Sequence, residues 1–456
     1  MSTPETRMDD GSQAVRHRKR LFVDTTPLRR YPDFRKIWIG QIISGLGSQL
    51  TIVGVAYQAY RLTGSTLVVG LVSLVQLIPL LFGSLWGGAV ADSTDRRRLL
   101  LITQVALATT SAGLALNAMT PHPHLWPLFV CTAASACFQG IDGPTRKAAL
   151  PMLVPAADLP AALALQQVVF QLAFVAGPAI AGLLIAATGL SVVFWLDVAS
   201  FGAAFIAVLL LPPLVPSGGG RKADFASVVE GLRYLKHHRT LASTYWIDLN
   251  AMVFGMPRAV FPALALGLYG GGAVTLGLLY AAPGAGALIG ALLTGWVSRV
   301  HRQGRAVVAA VIVWGGSIAV FGLVPVLWVG LLFLALAGAA DVVSAVFRNS
   351  ILQMNAPEEL QGRLAGTFIA VVTGGPRLGD AEAGAASAVG GPQFAVWSGG
   401  LLCIAGVGVI VWRMPELWRQ DSSALLAHRT ELTPAGAVTT GGDTPGAITP
   451  LDVTST

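Results

Sequence analysis

Apolar runs of about twenty residues recur from residue 37 to residue 413, and at 1.5 Å rise per residue each matches the hydrocarbon thickness of a bilayer. Twelve spanning helices are predicted, over 37–60, 66–91, 98–118, 124–145, 160–187, 190–211, 241–269, 273–298, 306–325, 327–348, 361–389 and 392–412. Gly and Pro are common inside these runs, which soluble helices would not sustain. Membrane helices tolerate both, because neighbouring helices and side chains satisfy the freed backbone groups. Only 12% of the residues are charged and the mean hydropathy is +0.66, whereas a soluble domain carries about 25% charged residues. The expected class is an all-α membrane protein.

The formal charge of +7 invites a nucleic-acid reading, but the positions of the basic residues exclude it. On the twelve-segment map 27 of the 30 Lys and Arg fall on one side of the membrane. The opposite loops hold Arg61 alone, and Arg258 and Arg377 fall inside segments. The positive-inside rule then puts both termini in the cytoplasm. Residues 1–30 show a basic stretch but no apolar core of a cleavable signal, so the first span is expected to direct insertion. Arg (25) far exceeds Lys (5), which suggests a GC-rich bacterial genome, and a bacterial cytoplasmic membrane is the expected location. Cys131, Cys137 and Cys403 all lie in predicted spans and are expected as free, hydrophobe-like thiols.

The longest connection, 213–240, is rich in Pro and Gly and divides the chain into six spans and six. The expected organisation is a cytoplasmic tail over 1–36, a six-helix bundle over 37–212, the linker 213–240, a second bundle over 241–413 and a disordered tail over 414–456. Within the linker, Phe225, Val228, Val229, Leu232 and Leu235 recur at helical spacing and predict a short amphipathic segment. The halves repeat one another. Arg146, Leu150, Pro155 and Leu159 correspond to Arg348, Leu352, Pro357 and Leu360, and the loop from Gly88 corresponds to that from Gly295. Such six-helix duplication is characteristic of major facilitator transporters.

The loop Gly88-Ala-Val-Ala-Asp92-Ser-Thr-Asp-Arg96-Arg97-Arg98 resembles the signature between helices 2 and 3 of that superfamily. Gly88, Asp92, Arg96 and Arg97 fit it, while Ser93 and Asp95 replace the usual Arg and Gly. The resemblance implies a gating role, in which the acid and the arginines latch the two halves together on the cytoplasmic side. A purely topological role for a basic loop is the alternative. Further stretches resemble one branch, the enterobactin exporters and their relatives: Leu28–Arg35, Arg258-Ala-Val-Phe-Pro262, Gly277-Leu-Leu-Tyr280, Gly290–Gly295 and the Leu352–Arg363 region. That resemblance implies secondary active export, proton antiport by alternating access between the two bundles, and a monomer. Its leading substrate is a catecholate siderophore of the enterobactin type, and relatives with similar motifs export drugs.

Ionisable groups at membrane depth are expensive, so each is a functional candidate. The set is Asp142, Asp197, Asp248, Arg258, Asp341, Arg377, Asp380 and Glu382. Asp248 and Arg258 are ten residues apart, about 15 Å along a helix, and cannot pair with each other. Arg258, beside Pro257, is expected either as a cavity-facing cation for an anionic or phenolic ligand or as a structural partner of a carboxylate on another helix. Arg377 and Asp380 are i,i+3 neighbours in a Gly- and Pro-interrupted span, where a local ion pair is possible. Asp248, Asp380, Asp341 and Glu382 are the proton-coupling candidates, each with a structural ion pair as the alternative. Asp142, four residues before Arg146, reads as an interface pair. Gln49, Gln171 and Trp246 are added as cavity candidates, although Gln is commonly interhelical glue and Trp commonly a lipid-facing anchor.

No phosphate loop and no His-Glu-x-x-His helix occurs, so neither nucleotide hydrolysis nor zinc hydrolysis is indicated. An enzyme, a cofactor and a bound metal are not expected. The expected partners are the bilayer, a small-molecule substrate and protons. A non-transporting receptor or scaffold is the competing class, against which the paired repeats and the intramembrane charges argue.

Overall fold

The computed structural model describes residues 24–216, 233–355 and 358–420, and the described residues are almost wholly helical. After a short α1 (Thr26–Arg30), the first half contains α2 (Pro32–Thr63), α3 (Thr66–Leu74), α4 (Leu77–Ser93), α5 (Arg96–Met119), α6 (Trp126–Leu153), α7 (Leu159–Thr188) and α8 (Leu190–Leu209). The second contains α9 (Arg239–Phe254), α10 (Gly272–Leu292), α11 (Gln303–Leu323), α12 (Leu327–Asn355), α13 (Glu358–Gly390) and α14 (Pro392–Arg413), followed by a short α15 (Pro415–Arg419). Among the described residues ten helices are long and apolar enough to cross a bilayer, with α3 and α4 counted as one and α9 continued to Leu268. The long helices α6 and α13 pack among these ten.

Local chemistry accounts for the helix ends. Pro32 opens α2, where a missing N–H costs nothing. Asp95 caps α5, its carboxylate accepting from the Arg97 N–H at 3.0 Å. α9 stops at Phe254, and the chain resumes after Pro257 as a 3-10 turn, Arg258–Val260, before ending in a π turn, Leu264–Leu268.

The packing partners repeat between the halves. α2 packs on α7 and α8, and α9 on α13 and α14; α6 packs on α4 and α5, and α12 on α10 and α11. The halves meet along α3 against α13 and along α7 against α10. Small residues allow the approach, since a Cβ on Gly384 of α13 would lie 2.7 Å from the Thr66 carbonyl oxygen of α3. On the other side Gly70 of α3 faces the backbone of Asp380 and Ala381 just as closely.

Both ends of the described chain lie on one face. There Lys36 Nζ donates to the Leu210 carbonyl at 3.0 Å, Tyr31 Oη donates to Asp158 at 2.7 Å, and Arg239 meets Glu416 at 3.3 Å. The tail expectations need correction. Helix α2 begins five residues before the predicted span, because Pro32 and Asp33 supply a helix start. Residues 415–419, expected within a disordered tail, form α15, whose Leu417 is fully buried against the start of α11 while Trp418 stacks beneath Arg305 at 5.2 Å. Most of the predicted amphipathic linker segment lies outside the described residues.

Candidate functional site

The interruption of the seventh span at Gly255, Met256 and Pro257 sets a cation at the edge of the interior. Trp314 Nε1–H donates to the Gly255 carbonyl at 2.9 Å, and Tyr280 Oη donates to the Arg258 carbonyl at 3.2 Å. The freed backbone groups are thereby satisfied, as membrane depth requires. Arg258 then lines two adjoining cavities, which also share Ile52 and Tyr280.

The first cavity holds about 1050 Å³ of space free of protein atoms, including the part open to the exterior. Its wall in the first half is hydroxyl- and amide-rich, with Ser48 and Thr51 on α2, Gln76 beside α4, Ser111 on α5 and Gln139 on α6. Across from these stand Arg258, Arg377 and Asp380. Asp380 accepts from Ser73 Oγ at 2.6 Å, and Arg258 and Arg377 both act on its charge. Two guanidinium groups and one carboxylate leave one net positive charge at this wall. The second cavity, about 810 Å³, has a more apolar wall that includes Phe174, Phe261, Trp314 and Leu334, with Gln49 and Asp341 as polar members.

A third ionic group joins α9 and α12. Arg348 is ion-paired with Asp248, the two side chains being 4% and 0% exposed. The same guanidinium reaches Asp341 at 3.8 Å, and Asp341 is 30% exposed.

The model of the family described as transmembrane secretion effector matches residues 24–437. The chain belongs to that family. It is 27% identical over 395 residues to the enterobactin exporter EntS of Citrobacter koseri, spanning 87% of this chain and 93% of that one. It is 30% identical over 381 residues to EntS of Shigella boydii serotype 18, spanning 83% and 91%. Among solved structures it resembles a POT family transporter in complex with a thioalcohol-conjugated peptide, with a TM-score of 0.68 and 11% identity over 84% of this chain and 96% of that one. It also resembles the human organic anion transporter MFSD10, with a TM-score of 0.57 and 18% identity over 83% and 98%. At those identities the likeness shows the fold alone. This transmembrane secretion effector is thus a multi-pass membrane transporter of the major facilitator type, and not an enzyme.

Of the cavity candidates read from the sequence, Arg258, Arg377 and Gln49 line the interior. Gln171 instead spans the two halves, its Nε2 donating to the Gly284 carbonyl at 3.1 Å. Trp246 is 54% exposed on the outside of α9 and lines neither cavity. An apolar helix surface turned to lipid accommodates it, so its cavity placement is corrected. Among the acids, Asp380 and Asp341 line cavities, Asp248 is sealed against Arg348, and Glu382 is half-buried outside both linings. Arg377 and Asp380 form no direct ion pair; Arg377 donates to the Thr373 carbonyl at 2.6 Å. Arg348, counted from the sequence with the basic residues outside the spans, is instead a buried partner of Asp248.

The gating-loop residues bond within the first half. Arg96 reaches Asp92 at 3.8 Å and the Ala148 carbonyl at 3.0 Å, and Arg97 donates to the Leu209 carbonyl at 2.7 Å. Gly88 lies on α4 ahead of them. Ser73 is a cavity residue that no pattern in the sequence singles out, and Tyr280 stood only within a stretch carrying the family resemblance, with no role attached.

Proposed function

We propose that this transporter is a proton-driven exporter of a catecholate siderophore of the enterobactin type. It works as a monomer in a bacterial cytoplasmic membrane, with twelve spans and both termini inside. The observation that carries the substrate class is the pair Arg258 and Arg377, set across a cavity from a wall of hydroxyl and amide side chains. A guanidinium offers a planar fork of donors to adjacent oxygens and stacks on aromatic rings, and a catecholate presents both features. The enterobactin exporters among its relatives favour the same substrate.

Proton coupling is assigned to the acids of the interior. Asp248 and Asp341 share Arg348, so a proton on one releases the guanidinium to the other, and Asp341 exchanges protons with the second cavity. Asp380, beside the two arginines at the first cavity, is a further proton-coupling candidate. Glu382 is the remaining candidate. Alternating access moves the 37–212 and 241–413 bundles about this centre, joined by the 213–240 linker. Gly88, Asp92, Arg96 and Arg97 latch the cytoplasmic side in the opposite state; their present bonds within one half are what an undone latch would leave.

The apolar wall of the second cavity favours a second reading, a broad-specificity drug exporter. Uptake into inverted membrane vesicles under an imposed pH gradient separates the two. Enterobactin uptake that ethidium does not match supports the first reading; ethidium uptake without enterobactin uptake replaces it with the second.

A further inference from the structure

Asp197 lies on α8 and is 1% exposed, and no basic side chain touches it. Its neighbours are hydroxyls. Thr51 Oγ1 donates to Oδ2 at 2.6 Å, Ser111 Oγ donates to the same oxygen at 2.7 Å, and Ser200 Oγ lies 3.2 Å from Oδ1. The three come from α2, α5 and α8, so the cage is assembled only when these helices pack. Gly47 of α2 completes it, since a Cβ there would lie 2.6 Å from Asp197 Oδ1 and closer still to Ser200 Oγ. Asp197, Thr51 and Ser111 all line the first cavity.

This carboxylate is unlike the other aspartates of the interior. Asp248 and Asp341 are bound to Arg348, Asp142 to Arg146, and Asp380 stands between two arginines. A guanidinium partner favours the ionised carboxylate, because neutralising it strands a buried cation unless a second acid takes that cation up. Hydroxyl groups do not discriminate in this way, since each is donor and acceptor and rotates to suit. Thr51 and Ser111 donate to the anion, and one of them can turn to accept from the protonated acid; the Ser200 hydroxyl lies closer to the Asp197 backbone carbonyl, at 2.7 Å. No titratable side chain of α2 or α5 faces Asp197, because the charged residues of those helices lie at their ends, and α7 has none. The charged groups nearest in the cavity are Arg258, Arg377 and Asp380 on its other wall, with the Tyr280 hydroxyl beside them.

We propose that Asp197 is a proton-exchange site of the first half, loaded and emptied through the cavity that holds the substrate. It rests on the proton-driven reading above and adds a carrier in the first half to those of the second. The step is the transfer of one proton from cavity water to Asp197 Oδ1 or Oδ2, with Thr51, Ser111 and Ser200 reorienting around it. A proton gained here removes the one negative charge of the first-half wall.

The test uses the full-length protein in lipid and infrared difference spectra between alkaline and acid buffer, without substrate. A protonated-carboxyl band that grows on acidification in the wild type and is lost in Asp197→Asn, but kept in Asp341→Asn, is expected. Thr51→Val keeps the carboxyl and shifts its band to higher frequency, as a C=O losing a hydrogen bond does, so a folded control exists if Asp197→Asn is unstable. A band unchanged in both Asp197→Asn and Thr51→Val overturns the proposal. So does a band abolished by sodium at constant pH, which would make the cage a metal-cation site. In vesicles, Asp197→Asn is expected to lose the pH-driven accumulation of labelled enterobactin. Failure of the wild type to move enterobactin would sink the substrate assignment while the infrared result still decides the role of Asp197.

Discussion

Arg348 on α12 closes on Asp248 of α9, whereas Arg146, its counterpart in the repeat, closes on Asp142 of its own helix α6. Duplication kept the cation in both halves and changed what it holds. In the first half Thr103 and Gln104 of α5 complete the site, each 2.8 Å from Asp142. In the second half the place of such neutral partners is taken by Asp341 at 3.8 Å, which leaves that group with one surplus negative charge facing a cavity.

Removing one member of a buried ion pair leaves an uncompensated charge, at a cost of about 3–5 kcal/mol. Arg348→Met is therefore expected to lower the thermal unfolding midpoint in detergent sharply. Combining it with Asp248→Asn is expected to recover part of the loss. Strictly additive effects of the two substitutions would show that the pair is not coupled.

The short α15 braces the face that carries both ends of the described chain. Leu417 is fully buried, and truncating such a side chain costs about 2–5 kcal/mol through lost burial and a residual cavity. Leu417→Ala is expected to destabilise the protein by that order in a denaturation series. An effect below about 0.5 kcal/mol, typical of surface substitutions, would show that α15 is not held.

The contact of α3 with α13 depends on glycine at the crossing. Gly384→Leu is expected to hold the halves apart on the face away from the termini and to depress transport. With Cys131, Cys137 and Cys403 replaced, a reporter cysteine at Ser73 is expected to become reactive from that face in the leucine variant. Unchanged labelling would show that the crossing tolerates bulk.

Much of the fold was legible because span length is set by the bilayer and not by side-chain detail. The predicted 190–211 and 392–412 segments differ from Leu190–Leu209 and Pro392–Arg413 by two residues at most. The interruption at Pro257 was not read, because 241–269 is apolar enough to pass as one unbroken span. Partners were not legible. Asp248 and Arg348 are a hundred residues apart, and no spacing rule joins two spans across a bundle. Trp246 was misplaced because a helix that is apolar on every side gives no periodic signal for which face meets lipid. Asp197 was visible as a charge but not as a site, since its cage needs Thr51, Ser111 and Ser200 from three helices. The order at Leu417 was hidden for a simpler reason: five residues are too few to show a helical period.

The central claim is that Arg258 and Arg377 form the positive wall of an export cavity for an anionic, oxygen-rich ligand. Secretion of enterobactin under iron limitation tests it most directly, in a bacterium that makes the siderophore and lacks its own exporter. Strains carrying the wild type, Arg258→Gln, Arg377→Gln or the lipid-facing control Trp246→Phe would be compared at equal membrane expression. The account predicts secretion with the wild type and Trp246→Phe, and a loss of about tenfold or more with either arginine variant, the equivalent of about 1.4 kcal/mol of ligand stabilisation. Secretion sustained by both arginine variants at the wild-type rate would contradict it.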